Sequence, residues 1–141
     1  MEGSNRSHLF AVLRIASVLE GEVESQLGRV GLSLPKLAAL RHLVLAGESL
    51  PLGQLAERLS CVKSNVTQLI DRLEADGLVS RAPDPNDRRS RLAVVTESGR
   101  KAYEEGIRIQ RDAERELFSV LSPSEAAQLL QLVAKLEKSH V

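Results

Sequence analysis

The sequence predicts a mostly α-helical fold that is interrupted once by a β-hairpin. Three observations lead to this prediction. Leucine, valine and alanine recur at helical spacing along most of the 141 residues, only 2% of the residues are aromatic, and the helical period stops between Gly77 and Thr96. An aliphatic core of this kind suits packed helices better than a large sheet. We therefore expect four helices, a hairpin and two further helices.

The four helices before the hairpin are each predicted from an apolar stripe with the period of an α-helix. They are expected over residues 6–29, 33–46, 52–59 and 63–76. The fourth helix has the most regular stripe, which consists of Val66, Leu69, Ile70 and Leu73. Its expected capping position is Val62, a residue type that cannot cap a helix.

The hairpin is predicted from two short runs, LVSRA and RLAVVT, that are rich in β-branched and small apolar residues. Between them lie prolines, aspartates and an asparagine at residues 83–87, which are turn-forming types. The connecting loop is longer than most hairpin loops, and long loops in compact domains are more often functional.

Two helices follow the hairpin. The first is expected to be capped by Thr96 and to extend to Leu121. The second begins with the residues SPSE at 122–125, which form a capping box with proline at the first helical position. The order of elements therefore predicts a helix-turn-helix followed by a two-stranded wing, with helices at both ends.

In a helix-turn-helix the second helix enters the major groove of DNA, so its outer face carries the residues that contact bases. Polar side chains on this face can hydrogen-bond base edges. The candidates are Ser64, Asn65, Thr67, Gln68 and Arg72, with Lys63 placed for a phosphate. Asp71 lies on the same face and would be repelled by phosphate. The alternative is that this polar face is simply solvated.

The predicted wing concentrates positive charge in a chain that has 19 basic and 19 acidic residues. Residues 81–101 contain six basic and three acidic side chains. Arginine at the tip of a narrow loop can enter the minor groove, where negative potential is concentrated. The candidate DNA contacts of the wing are Asp87, Arg88, Arg89 and Arg91, and Asp87 is expected to orient Arg89 through an ion pair. The alternative is a solvated basic loop.

The stretch LGQLAERLSCVKSNVTQLIDRLEADGLVSRAPDPNDRRSRLAVVTESG resembles the MarR family of bacterial winged-helix transcription regulators. The matching features are Leu55-Ala56, the segment LIDRLEADGLVSR, and the run of residues 87–89 followed by Val95-Thr96 and Gly99. The resemblance implies a homodimer in which the N-terminal helix and the two C-terminal helices interlock. Gln68 departs from the family pattern, in which a basic residue is frequent at this position.

A dimer is also expected from the residues themselves, because the terminal helices have apolar faces too extensive for the central module to cover. We interpret residues 1–30 and 103–141 as a helical dimerisation region and residues 31–102 as the DNA-binding region. The expected interface residues are Leu9, Leu13, Ala16, Leu129, Leu132, Val133 and Leu136. Two-fold symmetry predicts an operator that is an inverted repeat.

Many MarR-like proteins bind small anionic or aromatic ligands in a crevice beside the dimerisation helices. The resemblance therefore implies an effector, for which His8, Arg14, Arg41 and His42 are candidate contacts. The alternative is that these are surface or inter-subunit groups. The sequence has no metal-ligand spacing, no nucleophile–base motif and no phosphate-binding loop, so we expect no cofactor and no enzymatic activity.

One cysteine, Cys61, and the lack of an apolar run long enough for a membrane span favour a cytoplasmic protein with no membrane partner. The function predicted from the sequence is that of a dimeric, sequence-specific DNA-binding transcription regulator, a repressor relieved by a small-molecule ligand. The alternative is a winged-helix protein-interaction module without DNA binding.

Overall fold

The computed structural model of the protein describes residues 7–59 and 65–140. Within these residues six helices and three strands occur in the following order: α1 (His8–Gly28), α2 (Leu34–Leu45), β1 (Ser49–Pro51), α3 (Leu52–Arg58), α4 (Val66–Ala75), β2 (Val79–Pro83), β3 (Arg91–Val95), α5 (Glu97–Leu117) and α6 (Pro123–Lys138). The predicted fold class, mostly helical with a small hairpin, is confirmed. After Gln110 the chain divides into two compact units.

Side-chain caps define where several helices begin, because they satisfy backbone N–H groups that have no partner inside the helix. Oγ of Ser33 accepts from the backbone amide of Lys36 (3.3 Å) at the start of α2. Oγ1 of Thr96 accepts from the amide of Gly99 (3.0 Å) at the start of α5. Ser122 and Glu125 form the expected capping box at α6. The two caps predicted from the sequence, at Thr96 and at Ser122, are confirmed.

The start of α4 differs from the prediction. The helix was expected from Lys63, but it begins at Val66. Asn65 has an extended backbone, and its Oδ1 accepts from the amide of Gln68 (3.2 Å). Asparagine is among the best capping residues, and Asn65 rather than Val62 caps this helix. The candidates Lys63 and Ser64, together with Cys61, lie outside the described residues.

The wing is a three-stranded antiparallel sheet with the order β1-β3-β2. Its predicted hairpin, β2–β3, is confirmed, with Arg81 opposite Ala93 and Pro83 opposite Arg91. The third strand, β1, was not predicted, because three residues ending in proline carry no recognisable alternation. Leu50 of β1 pairs with Ala93 and is buried, which attaches the wing to the helices.

One aliphatic core joins the helix-turn-helix to the base of the wing. It contains side chains from the end of α1, from α2, α3 and α4, and from the sheet. The largest fully buried members are Leu27, Leu40, Leu43, Leu55, Leu59, Ile70, Leu73 and Val79. Because the core fixes the inner faces of α4 and β2, it also determines which of their side chains face outward.

Helix α5 begins where expected but ends at Leu117, four residues before the predicted Leu121. After Leu117 the helical hydrogen bonds give way to tighter turns, in which the amide of Ser119 donates to the carbonyl of Glu116 and the amide of Leu121 to that of Phe118. Inside α5, a Cβ at Gly106 would lie 2.7 Å from Leu32 and 2.8 Å from Leu37. At Gly99 a Cβ would overlap the backbone carbonyl of Leu78. Both glycines therefore allow close packing of α5 on the core.

Candidate nucleic-acid interface

The outer face of α4 presents the side chains predicted to contact bases. Thr67, Gln68 and Arg72 are exposed, whereas Ile70 and Leu73 are completely buried. Asn65 is also exposed, with its Oδ1 occupied by the helix cap. The predicted orientation of this face is thus present, and its contacts with bases remain a prediction.

Arg81 connects the wing to α4. Its guanidinium donates to Oδ1 of Asp71 (2.7 Å) and to Oε1 of Glu74 (2.6 Å). The hydrogen bond to Asp71, with smaller contributions from the charges of both carboxylates, raises the pKa of Arg81. Asp71, which we expected from the sequence to be repelled by DNA phosphates, is thus paired with a guanidinium group.

From the sequence, Arg81 was counted only among the basic side chains of the wing, and its contacts with α4 were not predicted. Asp71 and Glu74 are spaced i, i+3 on α4, and the turn at Gly77 reverses the chain toward them. Such a spacing followed by a reversal and an arginine is a signal that could have identified the pair. Arg100 is likewise paired within the module, with Glu48.

The tip of the wing is held by two Asx turns. Oδ1 of Asp84 accepts from the amide of Asn86 (2.9 Å), and Oδ1 of Asp87 accepts from the amide of Arg89 (2.9 Å). The predicted ion pair between Asp87 and the Arg89 guanidinium is wrong, because the carboxylate binds the backbone two residues on, as aspartate commonly does in turns. Asp87 thus orders the backbone from which Arg89 projects.

Three arginines surround this ordered tip. Arg88 and Arg89 lie in the turn itself, and Arg91 opens β3 opposite Pro83. All three arginine residues are exposed. Backbone order and exposed guanidinium groups together make the tip suited to a phosphate backbone or a narrow groove.

The candidate effector residues fall into two places. His8 and Arg14 are exposed on α1, and Arg41 is exposed on α2 beside the half-buried His42. Burial, followed by the charges of Arg41 and Arg58, lowers the pKa of His42 below the ordinary 6.5. Arg41 and Arg58 are both exposed, and their charges act on His42; these three residues are called the basic cluster.

A surface pocket of about 260 Å³ lies between α3 and α4. None of the four candidate effector residues is among its lining residues, which are Leu52, Gly53, Ala56, Val66, Thr67, Ile70 and Arg81. The guanidinium that borders this pocket is the one engaged by Asp71 and Glu74.

The predicted interface residues remain accessible to solvent in the single chain. On α1, Leu9 and Leu13 are 62% and 54% exposed, and Ala16 is half-buried. On α6, the exposed residues of the predicted stripe are Leu129, Leu132, Val133 and Leu136. Each helix thus carries an apolar face that the described chain leaves uncovered.

Two further properties concern the described residues only. Over 7–59 and 65–140, no helix combines the length and apolar character needed to cross a membrane. The same residues contain no group of three or more histidine, cysteine, aspartate or glutamate side chains arranged to hold a metal ion.

Comparison with known proteins identifies the family. The MarR family model matches residues 32–90. The chain is 36% identical over 105 residues to the HTH-type transcriptional regulator YkoM of Bacillus subtilis, covering 74% of this chain and 68% of YkoM. It is 36% identical over 106 residues to the transcriptional activatory protein BadR of Rhodopseudomonas palustris, covering 74% of this chain but only 60% of BadR.

The fold is also similar to that of a solved structure, a mutant MarR from E. coli complexed with operator DNA. The TM-score is 0.81 at 24% identity, and the match covers 89% of this chain and 90% of the other. The chain therefore belongs to the MarR family of winged-helix transcription regulators.

Proposed function

We propose that the protein is a homodimeric, sequence-specific DNA-binding regulator that inserts α4 into the major groove and the wing tip into the adjacent minor groove. One observation carries this proposal: a single core holds the polar face of α4 and the arginine tip of the wing on the same compact unit. Only three residues separate α4 from β2, and Leu73 and Val79 anchor the two elements in that core. This arrangement gives two reading elements a fixed relative position.

The wing supplies the sequence-independent part of binding. Arg88 and Arg89 project from a turn whose backbone Asp84 and Asp87 hold in place. A pre-ordered loop loses less conformational entropy when it binds than a mobile one does. Arginine is favoured in a narrow minor groove because the negative potential is greatest there.

The second copy needed for an inverted repeat would bind through the uncovered apolar faces of α1 and α6. Burial of these faces in a two-fold dimer removes leucine side chains such as Leu13 and Leu132 from water. The dimer would then present two α4 helices about 34–36 Å apart, which matches half-sites spaced by ~10 base pairs. The E. coli MarR structure with operator DNA supports this mode of action.

The alternative function is a winged-helix protein-interaction module without DNA binding. The equal numbers of acidic and basic residues favour this alternative, whereas the exposed arginines of the wing tip favour DNA. Binding to a random DNA duplex should be measured between about 50 and 200 mM salt. A DNA-binding protein loses affinity steeply over this range, because phosphate contacts release counterions. A protein-interaction module would show no such binding.

Arg89→Ala provides the sharper test of the wing. We expect it to weaken duplex binding by roughly tenfold, because one guanidinium contact with DNA is lost. The free energy of unfolding should stay within about 0.5 kcal/mol of the parent value, since Arg89 is exposed. Arg108→Ala on α5 is the matched control, and Asp87→Ala should give a smaller loss than Arg89→Ala. Parental affinity in Arg89→Ala would disprove the proposed role of the wing.

Base reading is tested at Gln68 after selection of the preferred site from a random duplex pool. Gln68→Ala should cost about 1–3 kcal/mol at that site and relax the preference at one base position. Lys63→Ala should instead weaken all sequences alike, as expected for a phosphate contact. Equal losses of Gln68→Ala on selected and random duplexes would remove Gln68 from the base-reading residues.

We further propose that the protein represses transcription and that a small anionic or aromatic ligand relieves repression. Arg41 and Arg58 support an anion site beside His42, because both are exposed and their charges act on His42. BadR is named as an activatory protein, so the sign of regulation should be measured with a reporter gene placed behind the selected site.

The ligand site is tested with phenylacetate as a probe. Bound phenylacetate should raise the pKa of His42 in an NMR titration and weaken DNA binding. Arg41→Ala should remove both effects, and an unchanged His42 titration would exclude the basic cluster as the site.

A further inference from the structure

Arg81 lies between two carboxylates on the element that is proposed to enter the major groove. Its two terminal nitrogens bind different residues, with NH2 2.7 Å from Asp71 and NH1 2.6 Å from Glu74. The side chain of Arg81 is only 21% exposed, whereas those of Asp71 and Glu74 are 58% and 44% exposed. The carboxylates therefore face solvent, and the arginine covers them from the side of the wing.

The position of Asp71 makes its charge important for DNA binding. Asp71 follows Thr67 by four residues and Gln68 by three, so it lies one helical turn away on the same outer face. A helix that enters the major groove brings this face close to the phosphates on either side. Like charges a few ångströms apart repel one another strongly where water is excluded. An unpaired Asp71 would oppose the approach of α4.

Resting on the proposed DNA-binding function, we propose that Arg81 is a positioning residue that neutralises Asp71 and Glu74, so that the outer face of α4 can approach DNA phosphates. The guanidinium leaves one net negative charge on the three residues, where two would remain without it. Arg81 lies on the same face of β2 as the buried Val79 and opposite the buried Ala93, so the same contacts join the wing to α4 at the edge of the core.

Arginine suits this role for two reasons. Its planar guanidinium presents several N–H donors in a fixed fork, which allows it to bind two carboxylates on successive turns at once. The guanidinium group is also always charged in proteins, so it neutralises a carboxylate whatever its surroundings. Lysine carries the same charge, but its single ammonium group cannot reproduce the forked geometry.

The test compares four proteins by their affinity for a random duplex at about 50 mM salt: the parent, Arg81→Met, the pair Asp71→Asn with Glu74→Gln, and the triple variant. Methionine retains most of the length of arginine and removes the charge. Arg81→Met should bind roughly tenfold more weakly than the parent, because it exposes two carboxylates to phosphate. The triple variant should regain at least the affinity of the parent, because the carboxylates are then gone. Arg108→Met, which makes the same charge change on α5, should lose less than threefold.

Thermal unfolding of each variant separates this role from a structural one. A purely structural Arg81 predicts that the triple variant melts lower than the parent and binds DNA as weakly as Arg81→Met. Failure of the triple variant to regain affinity would therefore overturn the proposal, and so would parental affinity in Arg81→Met. If the parent itself shows no salt-dependent duplex binding, the proposed function and this inference both fail, and that result is distinct from the other two.

If Arg81→Met does not fold, the pair Asp71→Asn with Glu74→Gln carries the test alone. In this variant Arg81 keeps its charge and no longer has carboxylates to neutralise. Affinity for the random duplex should rise by roughly tenfold above that of the parent at low salt. An unchanged affinity would show that the charges of Asp71 and Glu74 have no influence on DNA, and would overturn the proposal.

Discussion

The helix-turn-helix module buries its leucine side chains, whereas the terminal helices expose theirs to solvent. In the first region Leu40, Leu43 and Leu73 have no exposed surface. On the terminal helices Leu13 is 54% exposed and Leu132 is 60% exposed, although the residue type is the same. The first region can thus complete its core within one chain, whereas the apolar faces of the second can be buried only against another surface.

This difference separates the energetics of folding from those of assembly. Full burial of a leucine side chain contributes about 1.5–3 kcal/mol, so a stripe of several leucines is a large source of association energy. Part of that energy is offset by the translational and rotational entropy lost when two chains associate. We therefore expect substitutions in the first region to change the stability of the single chain, and those on the terminal helices to change the oligomeric state.

The largest effect is expected for Leu132→Asp on α6. A carboxylate placed in a dimer seam would be buried without a partner, which strongly opposes association. We expect a monomer of about the 15.4 kDa chain mass, or an unfolded chain, and loss of specific DNA binding. Sedimentation at low micromolar concentration measures the mass, and duplex binding measures the second effect.

Gln131→Asp is the matched control, because it introduces the same charge on the opposite face of α6. It should remain a dimer. A parent protein that sediments as a monomer and still binds its operator would contradict the proposed assembly, and a dimeric Leu132→Asp would exclude α6 from the interface.

The next largest effect is expected in the aliphatic core of the helix-turn-helix module. Leu40→Ala should lower the free energy of unfolding by about 2–5 kcal/mol, because it leaves a cavity at a completely buried site. Leu45 lies on the same helix and is 64% exposed, so Leu45→Ala should change the free energy of unfolding by no more than about 0.5 kcal/mol. Chemical denaturation of both variants measures these values. Equal losses would show that Leu45 is also buried in the folded protein, and the contrast between the regions would then be incorrect.

Glycines extend the comparison to backbone packing. Gly99→Ala should cost about 3 kcal/mol, because its Cβ would meet the rigid carbonyl of Leu78. Gly106→Ala should cost about 1 kcal/mol: Leu32 and Leu37 must move, and the better helix propensity of alanine offsets part of this loss. Thermal or chemical unfolding measures both losses.

Gly21 on α1 serves as the control for these two variants, since nothing lies within 4 Å of a Cβ at this position. Gly21→Ala should stabilise the protein by about 0.5–1 kcal/mol through helix propensity alone. A stabilising Gly106→Ala would mean that Leu32 and Leu37 can adjust at no cost, and that α5 is packed less tightly than the structure indicates.

The sequence predicted the elements whose side chains follow a regular period. The stripe of α4 and the hairpin were recognisable because burial on one face imposes spacing on the chain. The strand β1 was not, since it owes its existence to pairing with β3 rather than to its own three residues. The start of α4 was misplaced because Asn65 suits two roles, base reading and helix capping, and only the structure shows which backbone conformation it adopts.

The candidate site was predictable as a set of residues but not as a set of contacts. A linear count of charges gave the basic wing correctly, yet it could not distinguish Arg89 at the tip from Arg81, which turns back onto α4. Similarly, the proximity of Asp87 and Arg89 predicted a contact, and the atoms involved depended on the turn geometry. Alternation along a strand decides the direction of a side chain, and a charge count ignores it.

The smallest expected effect is the pH dependence of stability that arises from His42 on α2, which is partly buried and near two arginines. Its folded-state pKa is lowered from 6.5, first by burial and then by Arg41 and Arg58. The unfolded chain therefore binds a proton at a higher pH than the folded protein does, so the contribution of His42 to stability is complete above pH 6.5 and is lost as the pH falls through the lowered pKa. Chemical denaturation at several pH values should show this loss in the parent and a flatter profile in His42→Gln. Arg58→Ala should retain most of the slope, because burial is the larger cause; a profile as flat as that of His42→Gln would show instead that charge dominates at this site.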